Sequence, residues 1–331
     1  MGPEQLLKTI TFHLELDRPL GIIGDPGIGK SSIVHQSAKQ YGLPVVTKNL
    51  ALTEAPDLGG YPMFSASPDG EKVADMVMQR AFHQLSKEPA IIFLDELFQA
   101  PVAVMNAAAP IILEKRVGDM YLHSDCRVIF ASNKASNKAG TSRVPSHIPN
   151  RATIVELTVS NEDFLLYAIE QGVPEVIPAF LTMRPNLLHD FDPNRMINAT
   201  PRQWMGVAKM LEQGVPENIK LECIAGCVGE GAAAELIGFE RIMGQIPTRE
   251  QILMDPKGVK IPEDPSARWA ITGMLSQNAT VNNFGSIIEF MKRMPEELQV
   301  VLVKQVMRLQ PAVTGTKAYV EWAVRFQQYL R

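Results

Sequence analysis

Eight consecutive residues, Gly24-Asp25-Pro26-Gly27-Ile28-Gly29-Lys30-Ser31, fill the pattern G-x-x-x-x-G-K-[ST] without a mismatch. Its flanks give the pattern meaning. Leu20-Gly21-Ile22-Ile23 before it is short and apolar, like a buried strand, and residues 31–39 after it read as a helix. Strand, glycine-rich loop and helix, in that order, make a phosphate cradle. The glycines let the backbone wrap a polyphosphate, while amide N–H groups and the helix N-terminus point at its oxygens. Lys30 is expected to reach the β- and γ-phosphates and Ser31 to hold Mg²⁺. Ser32, in the first helical turn, closes the expected cradle of residues 24–32. The alternative is a chance glycine turn. At a glycine usage of about 7%, the pattern would arise by chance in about 1 in 100 chains of this length. The flanking strand and helix lower that further, so the chain is expected to bind a nucleotide.

A second acidic feature lies downstream. Ala90-Ile91-Ile92-Phe93-Leu94-Asp95-Glu96 is an apolar run ending in two carboxylates. A buried carboxylate is costly unless it is paired or holds a metal, and a strand end solves that problem. Asp95 suits the Mg²⁺ shell, and Glu96 suits the base that polarises water for in-line attack on a γ-phosphate. Val128-Ile129-Phe130-Ala131-Ser132-Asn133 is a further apolar run ending in an amide. Asn133 is placed to orient the attacking water, although Asn also favours strand ends for its turn chemistry alone. Asn137 repeats the local Ala-Ser-Asn-Lys sequence and reads as a plain turn residue.

The chain has 331 residues, 46% hydrophobic and 21% charged, enough for two domains and a sizeable core. Candidate strands are residues 20–23, 44–46, 90–94, 127–131 and 153–157, with helices after the glycine loop, before Ile91 and over residues 102–115. Alternation of this kind implies a parallel sheet covered on both faces, with ligands at the carboxyl ends of its strands. Two insertions interrupt it. One turns at Ser67-Pro68-Asp69-Gly70, between Met63-Phe64 and Lys72-Val73, and the other reads as a hairpin over residues 116–122. The character changes near Ser160, a helix N-cap followed by acids, and helical periodicity then runs to the end. The expected domains are an α/β core over residues 1–158 and a helical part over residues 159–331.

Charge and cysteine content exclude several classes. A net charge of −4 argues against a surface that coats nucleic acid. No run of about 18 apolar residues is present to span a bilayer, so no membrane contact is expected. Residues 1–5 lack the basic-then-apolar layout of a secretory signal, and the three cysteines suit a reducing compartment. The expected location is cytoplasmic. Cys223 and Cys227, four apart, are read as two small core residues and not as half a metal site.

The ordered set of glycine loop, Leu-Asp-Glu strand and Ala-Ser-Asn strand resembles the AAA+ ATPases. Within them the chain is similar to the MoxR branch, especially its phage-type and bacterial members encoded beside a von Willebrand factor A-like partner. Residues 57–62 (Asp-Leu-Gly-Gly-Tyr-Pro), 93–97 (Phe-Leu-Asp-Glu-Leu), 149–151 (Pro-Asn-Arg), 184–193 (Arg-Pro-Asn-Leu-Leu-His-Asp-Phe-Asp-Pro) and 200–204 (Thr-Pro-Arg-Gln-Trp) carry the likeness. It covers residues 18–205 well and is thin after residue 245. It implies an AAA+ core with a parallel sheet flanked by helices, followed by an all-α lid. It also implies ATP and Mg²⁺ as ligands and a ring of identical subunits, expected at six.

In that resemblance Arg151 matches an arginine finger that enters the neighbouring subunit's site, with Arg143 as the alternative. Arg202 matches a sensor at the start of a lid helix. The two insertions match elements that line the central channel in relatives. Tyr61, Met63 and Phe64 of the first would grip a chain there or pack inside their own hairpin. The expected partner is a protein, of von Willebrand factor A-like or metal-binding type, which the ATPase remodels or activates. A nucleic-acid motor of the same fold and a nucleotide-gated scaffold are the alternatives. Mild acidity weighs against the first, and the intact Asp95-Glu96 pair against the second. The chain departs from the family at Phe98, where relatives often have Asn. It also departs on the second strand, where Asn49, or Lys48, is the nearest candidate for the residue that switches Glu96.

Overall fold

The computed structural model describes residues 1–134 and 148–329. Asn137 and Arg143 lie outside the described residues. The chain divides into two units, residues 1–159 and 160–331.

In the first unit, α1 (Pro3–Leu16) leads into β1 (Leu20–Ile23), α2 (Lys30–Tyr41) and β2 (Val45–Asn49). A short α3 (Ala55–Gly59), the hairpin β3 (Tyr61–Ala66) and β4 (Lys72–Val77), and α4 (Arg80–Leu85) follow. Then come β5 (Ile91–Asp95), α5 (Val102–Glu114), the small hairpin β6 (Arg116–Val117) and β7 (Met120–Tyr121), β8 (Arg127–Ser132) and β9 (Thr153–Glu156). Among the described residues, one sheet has the order β2-β5-β8-β1-β9. Every neighbouring pair in it is parallel.

Strand residues point alternately to opposite faces, and in β1, β5 and β8 both faces are buried, which is why these strands read as unbroken apolar runs. Ile91, Phe93, Ile129 and Ala131 share a core with Leu6 and Ile10 of α1 and Ile33 and Val34 of α2. Ile92, Leu94, Val128 and Phe130 share the opposite core with Phe82 of α4 and Met105 and Ile111 of α5. Each such large side chain contributes about 1.5–3 kcal/mol on burial. At the centre, Gly21 lets the strands close: a Cβ there would fall 2.4 Å from the Phe130 ring and 2.6 Å from Ile154 Cδ1.

Register sets the functional rim. Ile23 pairs with Ser132, and Asn49 with Asp95. The carboxyl ends of β1, β5 and β8 therefore share one edge of the sheet, and the glycine loop leaves from it. β2 runs three residues past the expected Val46, because its polar residues 47–49 continue the ladder with β5. A helix that is not among the elements expected from the sequence covers residues 3–16. α1 forms there with Pro3 at N1, Glu4 in its first turn and a buried stripe of Leu6, Ile10 and Leu14.

The first insertion is the β3–β4 hairpin, turning at Gly70 with φ 81°. All twelve of its strand residues are exposed. Tyr61, Met63 and Phe64 are 47%, 59% and 81% exposed, so they do not pack inside it.

The second unit is helical: α6 (Asn161–Glu170), α7 (Val176–Met183), α8 (Pro201–Glu212), α9 (Glu217–Val228) and α10 (Glu230–Met243), then α11 (Arg249–Met254), α12 (Pro265–Gln277), α13 (Phe284–Met291), α14 (Glu296–Leu309) and α15 (Lys317–Arg325). Ser160 caps α6, its hydroxyl accepting from Asp163 N–H. Phe180, Trp204 and Phe239 form an aromatic centre, and Trp204 Nε1 donates to the Leu187 carbonyl at 2.7 Å. The helices after residue 245 belong to the same unit: Gly273 of α12 lies so close to Ala179 of α7 that a Cβ would meet it at 2.6 Å. Cys223 and Cys227 are half-buried and not core residues. The buried face of α9 is Lys220, Ile224 and Val228, and the cysteines flank that stripe.

Candidate nucleotide site

The glycine loop joins β1 to α2. Gly27 and Gly29 hold φ of 75° and 95°, the left-handed region that glycine enters without penalty. Gly29 is the N-cap of α2 and offers no side-chain bond to the first-turn amides. Those N–H groups, with the positive end of the helix dipole behind them, suit an anion. Gly24, Asp25, Pro26 and Ile28 complete the loop, and Ser32 stands in the first turn of α2.

Lys30 is 8% exposed. Its Nζ donates to the Gly24 carbonyl at 2.9 Å, the Asp25 carbonyl at 2.8 Å and Asn133 Oδ1 at 2.9 Å. A buried ammonium needs such partners, because an unpaired one costs several kcal/mol, on the order of the full desolvation penalty. Ser31 Oγ donates to Asp95 Oδ2 at 2.8 Å. Four of the sequence-predicted residues, Lys30, Ser31, Asp95 and Asn133, thus meet at the rim. The Ser31–Asp95 pair offers two oxygen donors to a hard divalent cation. Mg²⁺ uses one or two protein oxygens and takes the rest from phosphates and water, so these donors fit it.

Glu96 adopts φ 57°. That conformation costs a non-glycine residue about 1–3 kcal/mol and persists only where the surroundings impose it. Here the Glu96 N–H donates to Asp95 Oδ1 at 2.9 Å. The next residues form a 3-10 turn, Leu97–Gln99, whose Phe98 N–H donates to Ser132 Oγ at 2.7 Å. Gln99 Oε1 accepts from the Asn133 N–H at 3.2 Å, and Gln99 Nε2 donates to the Asn133 carbonyl at 3.4 Å.

Lys134 bonds Glu156 Oε1 at 2.8 Å and lies 3.7 Å from Asp25 Oδ2, linking the loop to the ends of β8 and β9. The hydrogen bond to Glu156 raises its ammonium above the ordinary lysine range. Sequence reasoning missed Gln99, Lys134 and Glu156. The signal for Gln99 and Lys134 was closeness to motif residues, and for Glu156 its place at the end of an expected strand.

Neither switch candidate hydrogen-bonds or ion-pairs with Glu96 among the described residues. Asn49 Oδ1 accepts from Ala51 N–H at 3.0 Å and caps a short turn. Lys48 Nζ donates to Gln79 Oε1 at 2.7 Å and stands over the Phe82 ring. Gln79 in turn reaches Asp57, whose Oδ1 accepts from Gln79 Nε2 at 2.8 Å and from Tyr61 OH at 2.7 Å. Asp57 therefore ties both ends of the β3–β4 hairpin. The Tyr61 hydroxyl first, and the Glu54 amide second, hold its carboxyl below the usual range.

Arg151 ends a 3-10 turn, Pro149–Arg151, just before β9, and is exposed. Among the described residues it joins none of the Lys30 cluster. Arg202 is exposed at the second position of α8, after Thr200, whose hydroxyl caps that helix, and belongs to the second unit.

Comparison with known proteins gives three findings. Residues 19–151 match the family model described as AAA domain (dynein-related subfamily). Over 179 residues, 51% of the chain, the sequence is 27% identical to Midasin of Giardia intestinalis, of which the chain spans 4%. In fold, NtrX of Brucella abortus in complex with ADP aligns with a TM-score of 0.42 at 18% identity, covering 92% of this chain and 68% of NtrX. RuvB of Thermotoga maritima, described as a Holliday junction branch migration motor, aligns at 0.40 and 14% identity, covering 73% and 74%. No helix among the described residues is long and apolar enough to cross a membrane.

Proposed function

We propose that this chain, with an AAA domain over residues 19–151, hydrolyses ATP in a ring of identical subunits and uses the cycle to remodel or activate a partner protein. The observation that supports this reading is the meeting of Lys30, Ser31, Asp95 and Asn133 within 2.8–2.9 Å bonds at the carboxyl edge of a parallel sheet.

The loop amides of residues 24–29 and the first turn of α2 bind the phosphates. Lys30 exchanges its carbonyl and Asn133 partners for β- and γ-phosphate oxygens. That exchange frees the Asn133 amide to hold water in line with the γ-phosphorus. Glu96 accepts the water proton as the new P–O bond forms and the bond to the β-phosphate oxygen breaks. When bound, Mg²⁺ held by Ser31 and Asp95 neutralises phosphate charge. A guanidinium from the next subunit, Arg151, offsets the charge that develops on the equatorial oxygens. Arg202 reads the same phosphate from the helical unit. Losing the phosphate changes what both arginines can bind, which is how hydrolysis would reach the partner.

The exposed β3–β4 hairpin, with Tyr61, Met63 and Phe64 bare, supports a protein partner over nucleic acid. A net charge of −4 points the same way. The test is phosphate release from ATP by the full chain, alone and with proteins that co-purify with the Glu96→Gln variant in ATP. A chain that binds ATP yet never releases phosphate, with or without those proteins, would refute this reading in favour of the scaffold.

A further inference from the structure

Resting on the hydrolytic reading above, we propose that Gln99 is a positioning residue, whose carboxamide serves as a surrogate strand that aims Asn133.

The backbone explains why one is needed. β8 outruns its neighbour. The last ladder pair between β5 and β8 is Leu94 with Phe130, and after Asp95 the chain turns away through the left-handed Glu96. Successive peptide groups of a strand bond to alternate sides. On the β1 side the Ser132 carbonyl is satisfied by the Gly24 N–H at 3.2 Å. On the β5 side, among the described residues, no strand remains to meet the Asn133 peptide groups. Gln99 fills that place. Its Oε1 accepts where a strand carbonyl would, at 3.2 Å, and its Nε2 donates where a strand amide would, at 3.4 Å.

A carboxamide is the side-chain group that matches a peptide's donor and acceptor together. The Phe98 N–H bond to the wholly buried Ser132 hydroxyl fixes the same turn one residue earlier. The consequence is geometric. Glu96 and Asn133 follow different strands, yet two of the three residues after Glu96, Phe98 and Gln99, are fastened to Ser132 and Asn133. Base and amide therefore move as one piece, and the Asn133 backbone stays fixed when its side chain exchanges Lys30 Nζ for water.

The test uses the full chain with ATP. Gln99→Met keeps the length and removes donor and acceptor. It is expected to lower kcat about tenfold to 10²-fold, the cost of a misplaced reacting group. ATP affinity by calorimetry should stay within about twofold. The double variant Gln99→Met with Asn133→Ala should turn over no more slowly than Asn133→Ala alone.

Gln99→Glu gives a readout that a merely structural role would not move. Its carboxylate accepts but cannot donate, whereas its protonated form does both. The ratio of its kcat to that of the unaltered chain should rise as pH falls toward the carboxyl range, about 4.3. If Gln99→Met fails to fold, this ratio alone decides.

The inference is overturned by a Gln99→Met kcat equal to that of the unaltered chain, by losses that multiply in the double variant, or by a flat ratio for Gln99→Glu. If the unaltered chain releases no phosphate at all, the hydrolytic reading has failed and takes the inference with it. If Asn133→Ala slows release while the Gln99 variants do not, only the inference has failed.

Discussion

Lys30 Nζ lies 2.9 Å from Asn133 Oδ1, joining the residue that closes the glycine loop to one that stands 103 positions later. The bond spans two parallel strands, β1 and β8, that pair directly. It makes the ammonium a shared element of loop and sheet edge.

Lys30→Ala should therefore do more than remove a charge. It unties the loop carbonyls of Gly24 and Asp25 as well as Asn133. A charged hydrogen bond is worth about 1.5–3 kcal/mol, so ATP affinity should fall by at least about tenfold to 10²-fold. Calorimetry that finds unchanged affinity would contradict the phosphate role.

Glu96→Gln should bind ATP and stop turnover. Loss of a positioned general base costs about 10²–10⁴-fold in kcat. The backbone bond from the residue 96 N–H to Asp95 does not involve the side chain, so the local turn should persist. Phosphate release at the unaltered rate would move the base elsewhere.

Arg151→Ala should leave ATP affinity nearly intact and lower turnover by about 10³-fold or more, as for an arginine supplied in trans. Mixing it with Glu96→Gln should restore part of the rate. Interfaces then form in which one copy brings an intact Glu96 and its neighbour an intact Arg151. A mixture as inactive as its components would argue against a shared site, and normal turnover of Arg151→Ala would direct attention to Arg143.

Asp57 gives a prediction about pH. Its carboxyl is held below the usual range by bonds from Tyr61, Glu54 and Gln79. A group with a depressed folded-state pKa lends its stability above the unfolded value, about 3.9, and loses it as pH falls through the lower folded value. Amide exchange across residues 61–77 should therefore be equally protected at pH 8 and pH 5, once corrected for intrinsic rates. Asp57→Ala should speed that exchange at both. Protection lost in the native chain between those pH values would contradict the clamp.

The rim was legible in the sequence because its causes are local. Apolar runs over residues 20–23, 91–94 and 128–131 are what strands buried on both faces require, and their polar ends name Asp95, Glu96 and Asn133 without any tertiary knowledge. α1 was not legible in that way. Its stripe of Leu6, Ile10 and Leu14 is narrow and interrupted by polar residues, and it acquires meaning only from the α2 surface it covers. Gln99 was hidden for another reason. It acts through the backbone of a residue 34 positions away, and nothing in its neighbourhood distinguishes it from a solvent-facing glutamine. Asn49 stands beside Asp95 in register, and its Oδ1 caps its own chain, a local bond that position alone does not reveal.

The strand order bears on synthesis. β1 and β5 each pair with β8 and not with each other. A growing polypeptide has made its glycine loop and both acids by residue 96, but β8, the strand that lies between β1 and β5, is complete only at residue 132. A ligand stabilises the state that binds it, so nucleotide would favour chains in which β8 has brought Asn133 to the loop over chains cut short before it.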